Sequence, residues 1–249
     1  MAAPQRVNVI GSEISACDTA RALDALAERL EDGAGGYMCF TTAHAAVLGR
    51  RHRRFQSIIN GSFLSVADGK PLYWIGRSKD HAVGHLPGPD FLIEALTRFP
   101  GAGHYFYGSS PEVLRRLTAS LRRMVPGLRI SGSFSPEFRA LRAEEKESHY
   151  RMIRESGARF IWVGLGVPKQ EQWMAEAWSH LRPGILFGVG AAFDFHAGTM
   201  PRAPALMRRL GIEWLHRLAH EPRRLAARYL ATNTLFLWYA MRDAVTGRR

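Results

Sequence analysis

Phe160-Ile-Trp-Val163 is an unbroken apolar run that passes directly into Gly164-Leu-Gly166-Val-Pro168-Lys169-Gln170-Glu171-Gln-Trp173. Four large apolar residues in succession leave no polar face, so the run reads as a strand buried on both sides, as in parallel sheets. The glycines behind it let backbone approach a ligand closely, and the segment then opens a helix, whose first amides suit a phosphate or sugar oxygen. Gly-x-Gly after a strand also begins the dinucleotide fingerprint, but the third glycine is missing. Lys169 stands in its place here, and in the second candidate, Gly188-Val-Gly190, the place falls on Phe193. A nucleotide-dependent oxidoreductase is therefore disfavoured.

On either side of this segment the same alternation repeats. Val7-Asn-Val-Ile10, Tyr37-Met-Cys-Phe-Thr41, Phe63-Leu-Ser-Val66, His104-Tyr-Phe-Tyr107, Leu128-Arg-Ile-Ser131 and Ile185-Leu-Phe187 are short β-rich runs. Between several of them apolar residues recur three and four apart, as at Ala20, Leu23, Leu26 and Leu30, or Val113, Leu114, Leu117 and Leu121. Ser110-Pro111-Glu112 puts a cap residue before proline at a first helical position, and Glu221-Pro222 does the same before a long terminal helix. The pattern predicts an α/β fold, a mostly parallel, Rossmann-like sheet with helices on both faces. We read a catalytic core over residues 1–198 and a basic, membrane-associating helical appendage over 199–249.

The 249 residues are 46% hydrophobic, enough for one large domain and too apolar for disorder. The start lacks the charged segment, apolar stretch and cleavage site of a secretory signal, from which we expect the protein on the cytoplasmic side. No apolar run approaches the ~20 residues that cross a bilayer; Leu235–Met241 is too short to span, but can lie on a membrane surface. Cys17 and Cys39 form neither a disulfide framework nor a zinc pattern. The net charge of +12 is uneven, since residues 200–249 hold ten arginines against Glu213, Glu221 and Asp243. Such a terminus calls for an anionic partner: phospholipid, a nucleotide diphosphate or nucleic acid. A nucleic-acid-binding module would interleave basic and aromatic residues on an exposed surface. Here the arginines cluster beside an apolar tail, which favours lipid and diphosphate, and no nucleic acid is expected.

Three stretches carry a resemblance: Val66-Ala-Asp68-Gly69-Lys-Pro-Leu72, Gly164–Trp173, and Gly188-Val-Gly190 through Asp194 to Pro204 with Glu213-Trp-Leu-His-Arg217. Together they resemble the WecG/TagA/CpsF glycosyltransferases, glycosyltransferase family 26, over nearly the whole chain. The resemblance implies inverting transfer from a UDP-sugar to a polyprenyl-diphosphate-linked saccharide in cell-surface polysaccharide biosynthesis. The site would be the cytoplasmic membrane face, with no cofactor. Its implied base is Asp68, which by its own sequence is equally a turn or cap residue before Gly69. Gln170 and Glu171 would lie beside the nucleotide-sugar pocket with Gly164, Gly166 and Gly190.

The chain departs from the family in two places. The usual Thr-x-Asn is replaced around Thr41, Thr42 and His44, which are carried over as pocket residues or else read as a strand end and a surface histidine. In His85-Leu-Pro-Gly-Pro-Asp90, His85 stands where arginine is expected and exchanges a permanent cation for a group mostly neutral at pH 7. Asp90 reads as an N-cap or a donor-sugar contact, and Asp194, between Phe193 and Phe195, as a loop anchor or a ligand for donor hydroxyls.

Breaking a sugar–diphosphate bond puts negative charge on the leaving group, which a metal or fixed cations must meet. The chain has no Asp-x-Asp, so we expect fixed cations and no metal. Arg217, Arg224 and Arg228 share a helical face if the turn at Pro222 keeps phase, and by resemblance they would contact the diphosphate. A solvated basic face meeting lipid is the plainer reading, and both hold if Leu235, Phe236, Trp238 and Tyr239 face the bilayer. His216 and His220, four apart without an intervening glutamate, read as surface histidines. Burying the apolar tail in the free protein would favour a homo-oligomer.

Overall fold

The chain first forms β1 (Arg6–Val9) and β2 (Ser12–Ser15), an antiparallel hairpin, in a computed structural model that describes residues 4–247 apart from the Arg224 side chain. The Val7–Ile10 run therefore does not enter the main sheet. Ile10 and Gly11 make the hairpin turn with φ of 47° and 95°, and buried Ile10 packs into a cluster with Val7, Val9 and Ile14. Ser65 N–H donates to Ser15 Oγ at 3.1 Å, which ties the hairpin to the edge of the main sheet.

That sheet follows in strict alternation. α1 (Thr19–Asp32) leads to β3 (Gly36–Thr41), then α2 (Ala43–Arg51) and α3 (Arg53–Gly61) to β4 (Leu64–Ala67). α4 (Lys70–Lys79) and α5 (Gly88–Arg98) precede β5 (His104–Gly108), and α6 (Pro111–Met124) crosses to β6 (Ile130–Phe134). α7 (Ala143–Glu155) leads to β7 (Phe160–Gly164), and α8 (Lys169–Ala177) to β8 (Ile185–Gly188). α9 (Ala192–Ala197), α10 (Ala205–Arg209), α11 (Glu213–His220) and α12 (Pro222–Val245) complete the chain. The six strands from β3 to β8 are parallel, in the order β4-β3-β8-β7-β5-β6.

Alternate residues of each strand feed opposite faces, which is why the apolar runs are continuous. Phe160 and Trp162 join Met38, Phe106 and Phe187 in one core, under α1, α5, α6 and α9. Ile161 and Val163 join Cys39, Tyr107 and Leu186 in the other, under α7 and α8. Trp162 stacks on Phe187 with ring centroids 4.3 Å apart; truncating a ring at such a site costs about 3–5 kcal/mol. Ser110, the cap residue read before Pro111, accepts from Val113 N–H at 3.2 Å to start α6, and Asp18 accepts from Arg21 N–H at 2.8 Å to start α1.

α12 lies against α2 and the hairpin. Phe236 is buried in the hairpin cluster, with Leu235 and Tyr239 packed partly buried against it. Arg50 donates to Asp243 at 2.9 Å across the same contact. Of the four residues expected to face a bilayer, only Trp238 is exposed. The outward face is instead Leu230, Leu237, Trp238, Met241 and Val245. Among the described residues no helix is long and apolar enough to cross a membrane.

Candidate active site

The carboxyl edge of the sheet gathers most of the residues singled out in the sequence. Asp68 follows β4, and its N–H extends the β3–β4 pairing to Thr41 O at 3.2 Å. Its Oδ1 accepts from Gly88 N–H, in the first turn of α5, at 2.9 Å. Asp68 is thus neither a turn nor a cap residue for the helix after it, since Gly69 holds the α4 cap position. Burial pushes its carboxyl up to about 7; Glu213 adds to the rise, while the Gly88 bond, Arg217 and Arg202 oppose it. The residue as a whole is partly exposed.

His85 runs beside this strand end. Its Nε2 lies 2.9 Å from Asp68 O, and because a carbonyl oxygen only accepts, Nε2 carries the proton. Burial, then Lys70, lower its pKa to about 4, so the ring is uncharged at neutral pH and the cationic role of an arginine is absent here. Asp90 is not an N-cap: it lies inside the first turn of α5, where Pro87 holds the cap position. Its carboxylate takes both Nη groups of Arg202, at 2.6 and 2.7 Å. A cleft of about 390 Å³ opens here, with Lys70, His85, Asp90, Arg202, Arg208 and Glu213 in its wall.

Neighbouring threonines have structural work. Thr41 is buried, with Oγ1 2.8 Å from Ser65 Oγ on the neighbouring strand. Thr42 caps α2 by accepting from Ala45 N–H at 3.2 Å. His44 is not a surface histidine, for its Nδ1 lies 3.2 Å from Thr232 Oγ1 on α12. Burial and then Arg228 lower its pKa.

The glycine loops meet further along the edge. The Gln170 side chain is a lock between them: Oε1 accepts from Gly166 N–H at 3.2 Å, and Nε2 donates to Gly188 O at 2.8 Å and to Glu171 Oε1 at 2.9 Å. Gln170 and Glu171 are only 2% and 1% exposed, so both hold the loops from within and neither faces the open cleft. Burial raises the Glu171 carboxyl to about 7, and its Oε2 has no hydrogen-bond partner. Gly166, at φ 75°, and Gly190, at φ 53°, turn the two loops, and a Cβ on Gly164 would lie 2.6 Å from the Phe193 ring. Asp194 is half-buried in α9. Thr199 Oγ1 donates to its Oδ1 at 3.3 Å, and its backbone carbonyl takes the N–H groups of Thr199 and Met200.

A further segment here carries no sequence motif. The connection from β5 runs to β6 on one side and that from β7 to β8 on the other, so β5 and β7 flank a switch point. In open α/β sheets ligands bind in the crevice outside such a point. Gly108-Ser109-Ser110 lines it beside Gly164, with Ser109 at φ 59° and its N–H on Gly164 O at 3.1 Å. The signal was a strand followed by Gly-Ser-Ser-Pro, of which only the helix cap is conspicuous.

The arginines reach the edge from two helices. The chain breaks at Glu221, so Arg217 on α11 and Arg228 on α12 do not share one helical face. Arg217 still acts on Asp68 and Arg228 on His44. Arg202, Arg208, Arg217 and Arg228 each bury an Nε–H without a hydrogen-bond partner. The Arg224 side chain lies outside the described residues. Trp214 packs on Tyr229 with centroids 5.8 Å apart, which fixes α11 against α12.

The edge thus carries a carboxylate at a strand end, glycine loops at a switch point, and arginines that act on Asp68 and His44, a set suited to an anionic ligand. The family model described as Glycosyl transferase WecG/TagA/CpsF family matches residues 7–249, core and C-terminal helices alike. The chain belongs to that family of glycosyl transferases.

Proposed function

We propose that the protein moves a sugar, with inversion and without a metal, from a UDP-sugar to a polyprenyl-diphosphate-linked saccharide in cell-surface polysaccharide biosynthesis. Asp68 carries this reading: it is a buried carboxylate at the end of a parallel strand, poised near neutrality and faced by cations. A base with pKa near the working pH is the efficient kind. Asp68 takes the proton from the acceptor hydroxyl, whose oxygen attacks the anomeric carbon from the face opposite UDP. The anomeric C–O bond breaks and the electron pair leaves with the diphosphate. Arg217 and Arg228, with Arg224 in the same segment, meet that charge in place of a metal.

The donor's nucleotide would lie along Gly108–Ser110 and Gly164–Gly166, with its sugar directed past β8 and β3 towards Asp68. Four strand spacings separate β5 from β4, about 19 Å, a span that an extended nucleotide sugar and an acceptor fill together. His85, Asp90, Asp194 and Gly190 would border this space, and Thr42, His44 and Gly69 would support it. We assign residues 199–249 as an appendage that associates with the cytoplasmic membrane face through the outward side of α12, where a polyprenyl acceptor resides. The test is transfer and UDP release over a panel of UDP-sugars with lipid-linked acceptor and EDTA. Asp68→Ala should abolish turnover while UDP still raises the melting temperature; full activity in Asp68→Ala would remove the mechanism.

A further inference from the structure

The first turn of α5 holds two partners at once. Gly88 N–H donates to Asp68, and two residues on, Asp90 grips the Arg202 guanidinium through a bidentate fork. Base and arginine are therefore tied to one short piece of helix, although Arg202 comes from the chain between α9 and α10. Neither α10 nor α11 contains a buried residue. In the connection itself the small Ala203 is buried, and the Asp90–Arg202 ion pair adds a directional tie beside it. A planar fork fixes orientation as well as distance, which a lysine in the same place would not.

The charges around Asp68 give that orientation a use. Arg202 and Arg217 favour its carboxylate, Glu213 on α11 opposes it, Lys70 of α4 and Asp90 of α5 share the cleft wall, and His85 is uncharged. With His85 neutral, Arg202 in its fork on Asp90 is a fixed cation on the α5 side of the base. We propose that Arg202 is a positioning residue of this site: clamped by Asp90, it pins the chain after α9 to the turn that holds Asp68 and presents a fixed cation to that carboxylate. Its part in turnover rests on the glycosyl-transfer reading; its effect on Asp68 does not.

The experiment uses the full chain with Asp68→Asn, Arg202→Gln, Arg202→Lys, and each Arg202 variant combined with Asp68→Asn. Urea unfolding from pH 5 to 9 gives the stability difference between each background and its Asp68→Asn partner. That difference changes with pH through the titration of Asp68 and reports its midpoint without substrate. Arg202→Gln should raise the midpoint by about half a unit or more, and Arg202→Lys should leave it near the wild-type value. In the transfer assay Arg202→Gln should lower kcat about tenfold or more and displace the acid limb of the pH profile upward, and Arg202→Lys should restore the limb but not the full kcat. A midpoint unmoved by Arg202→Gln, or moved equally by both variants, overturns the proposal. Should Arg202→Gln fold too poorly to titrate, Arg202→Lys decides alone, and wild-type kcat in it overturns the role of the fork. If the wild type transfers no sugar, the midpoints still judge Arg202, and only the glycosyl-transfer reading falls.

Discussion

Asp68 enters the fold with an ordinary carboxyl and is lifted to about 7, chiefly by burial. Catalysis needs the deprotonated form, so turnover should rise with pH along an acid limb centred near 7. Asp68→Asn should remove about 10²–10⁴-fold of it at pH 8, measured as kcat. Stability moves the other way. A carboxyl whose folded pKa exceeds its unfolded value gives stability that is complete below the unfolded pKa and is lost as pH rises through the folded one. Asp68→Asn keeps an acceptor for Gly88 and escapes that loss, so at pH 8 it should melt above the wild type by on the order of 4 °C. The gap should close towards pH 4, as calorimetry across that range would show; a pH-independent gap would mean that Asp68 titrates normally. Its place at the strand end was legible, because Asp-Gly after an apolar run marks the carboxyl edge of a sheet. Its charge state was not, since Gly88, Arg202, Glu213 and Arg217 come from segments far apart in sequence. For His85 the loss of a fixed cation was legible in the sequence, and only packing showed that burial and Lys70 keep the ring neutral.

The strands that run parallel were readable because burial on two faces writes itself as continuous apolar sequence. Phe160 to Val163 is the clearest case. The hairpin was not readable, for two reasons: Ser12–Ser15 is too polar to suggest a strand, and its turn places the β-branched Ile10 at positive φ, where local preference would put glycine or asparagine. Burial of Ile10 among the hairpin's apolar residues outweighs that preference. The helix α8 shows a different limit. Its motif was visible, but not that Gln170 turns inward and spends both amide hydrogens on Gly188 O and Glu171. Gln170→Ala would leave the Gly166 N–H and the Gly188 carbonyl without their partner. Each buried group so orphaned costs about 1–3 kcal/mol, so urea unfolding should show a loss of roughly 2–4 kcal/mol. The loops would loosen at the same time, and the KM for the donor should rise more than kcat falls. Unchanged stability would show that water replaces the lock.

At the scale of the molecule, the question is which surface meets a membrane. Composition showed a basic, aromatic tail, yet helical phase alone could not say which side is free, because that depends on where α2 and the hairpin lie. Phe236 and Leu237 are neighbours in sequence and opposites in environment, 3% and 61% exposed. Phe236→Ala should therefore cost about 3–5 kcal/mol of packing, visible as earlier melting or faster proteolysis of α12, with the outward face intact. Leu237→Glu with Met241→Glu should do the reverse. Both positions are exposed, and surface changes of this kind usually stay within about 0.5 kcal/mol, so the melting curve should hold. Sedimentation with vesicles containing anionic lipid should fall sharply, because two carboxylates replace apolar contacts and repel the headgroups. Salt separates the contributions: arginines near an anionic surface each give about 1 kcal/mol that screening removes, whereas the contacts of Leu230, Leu237, Trp238 and Met241 persist. Wild-type binding should thus weaken with salt without vanishing, and the double glutamate variant should lose the salt-resistant part. Equal vesicle binding by both proteins would move the membrane-facing surface away from α12.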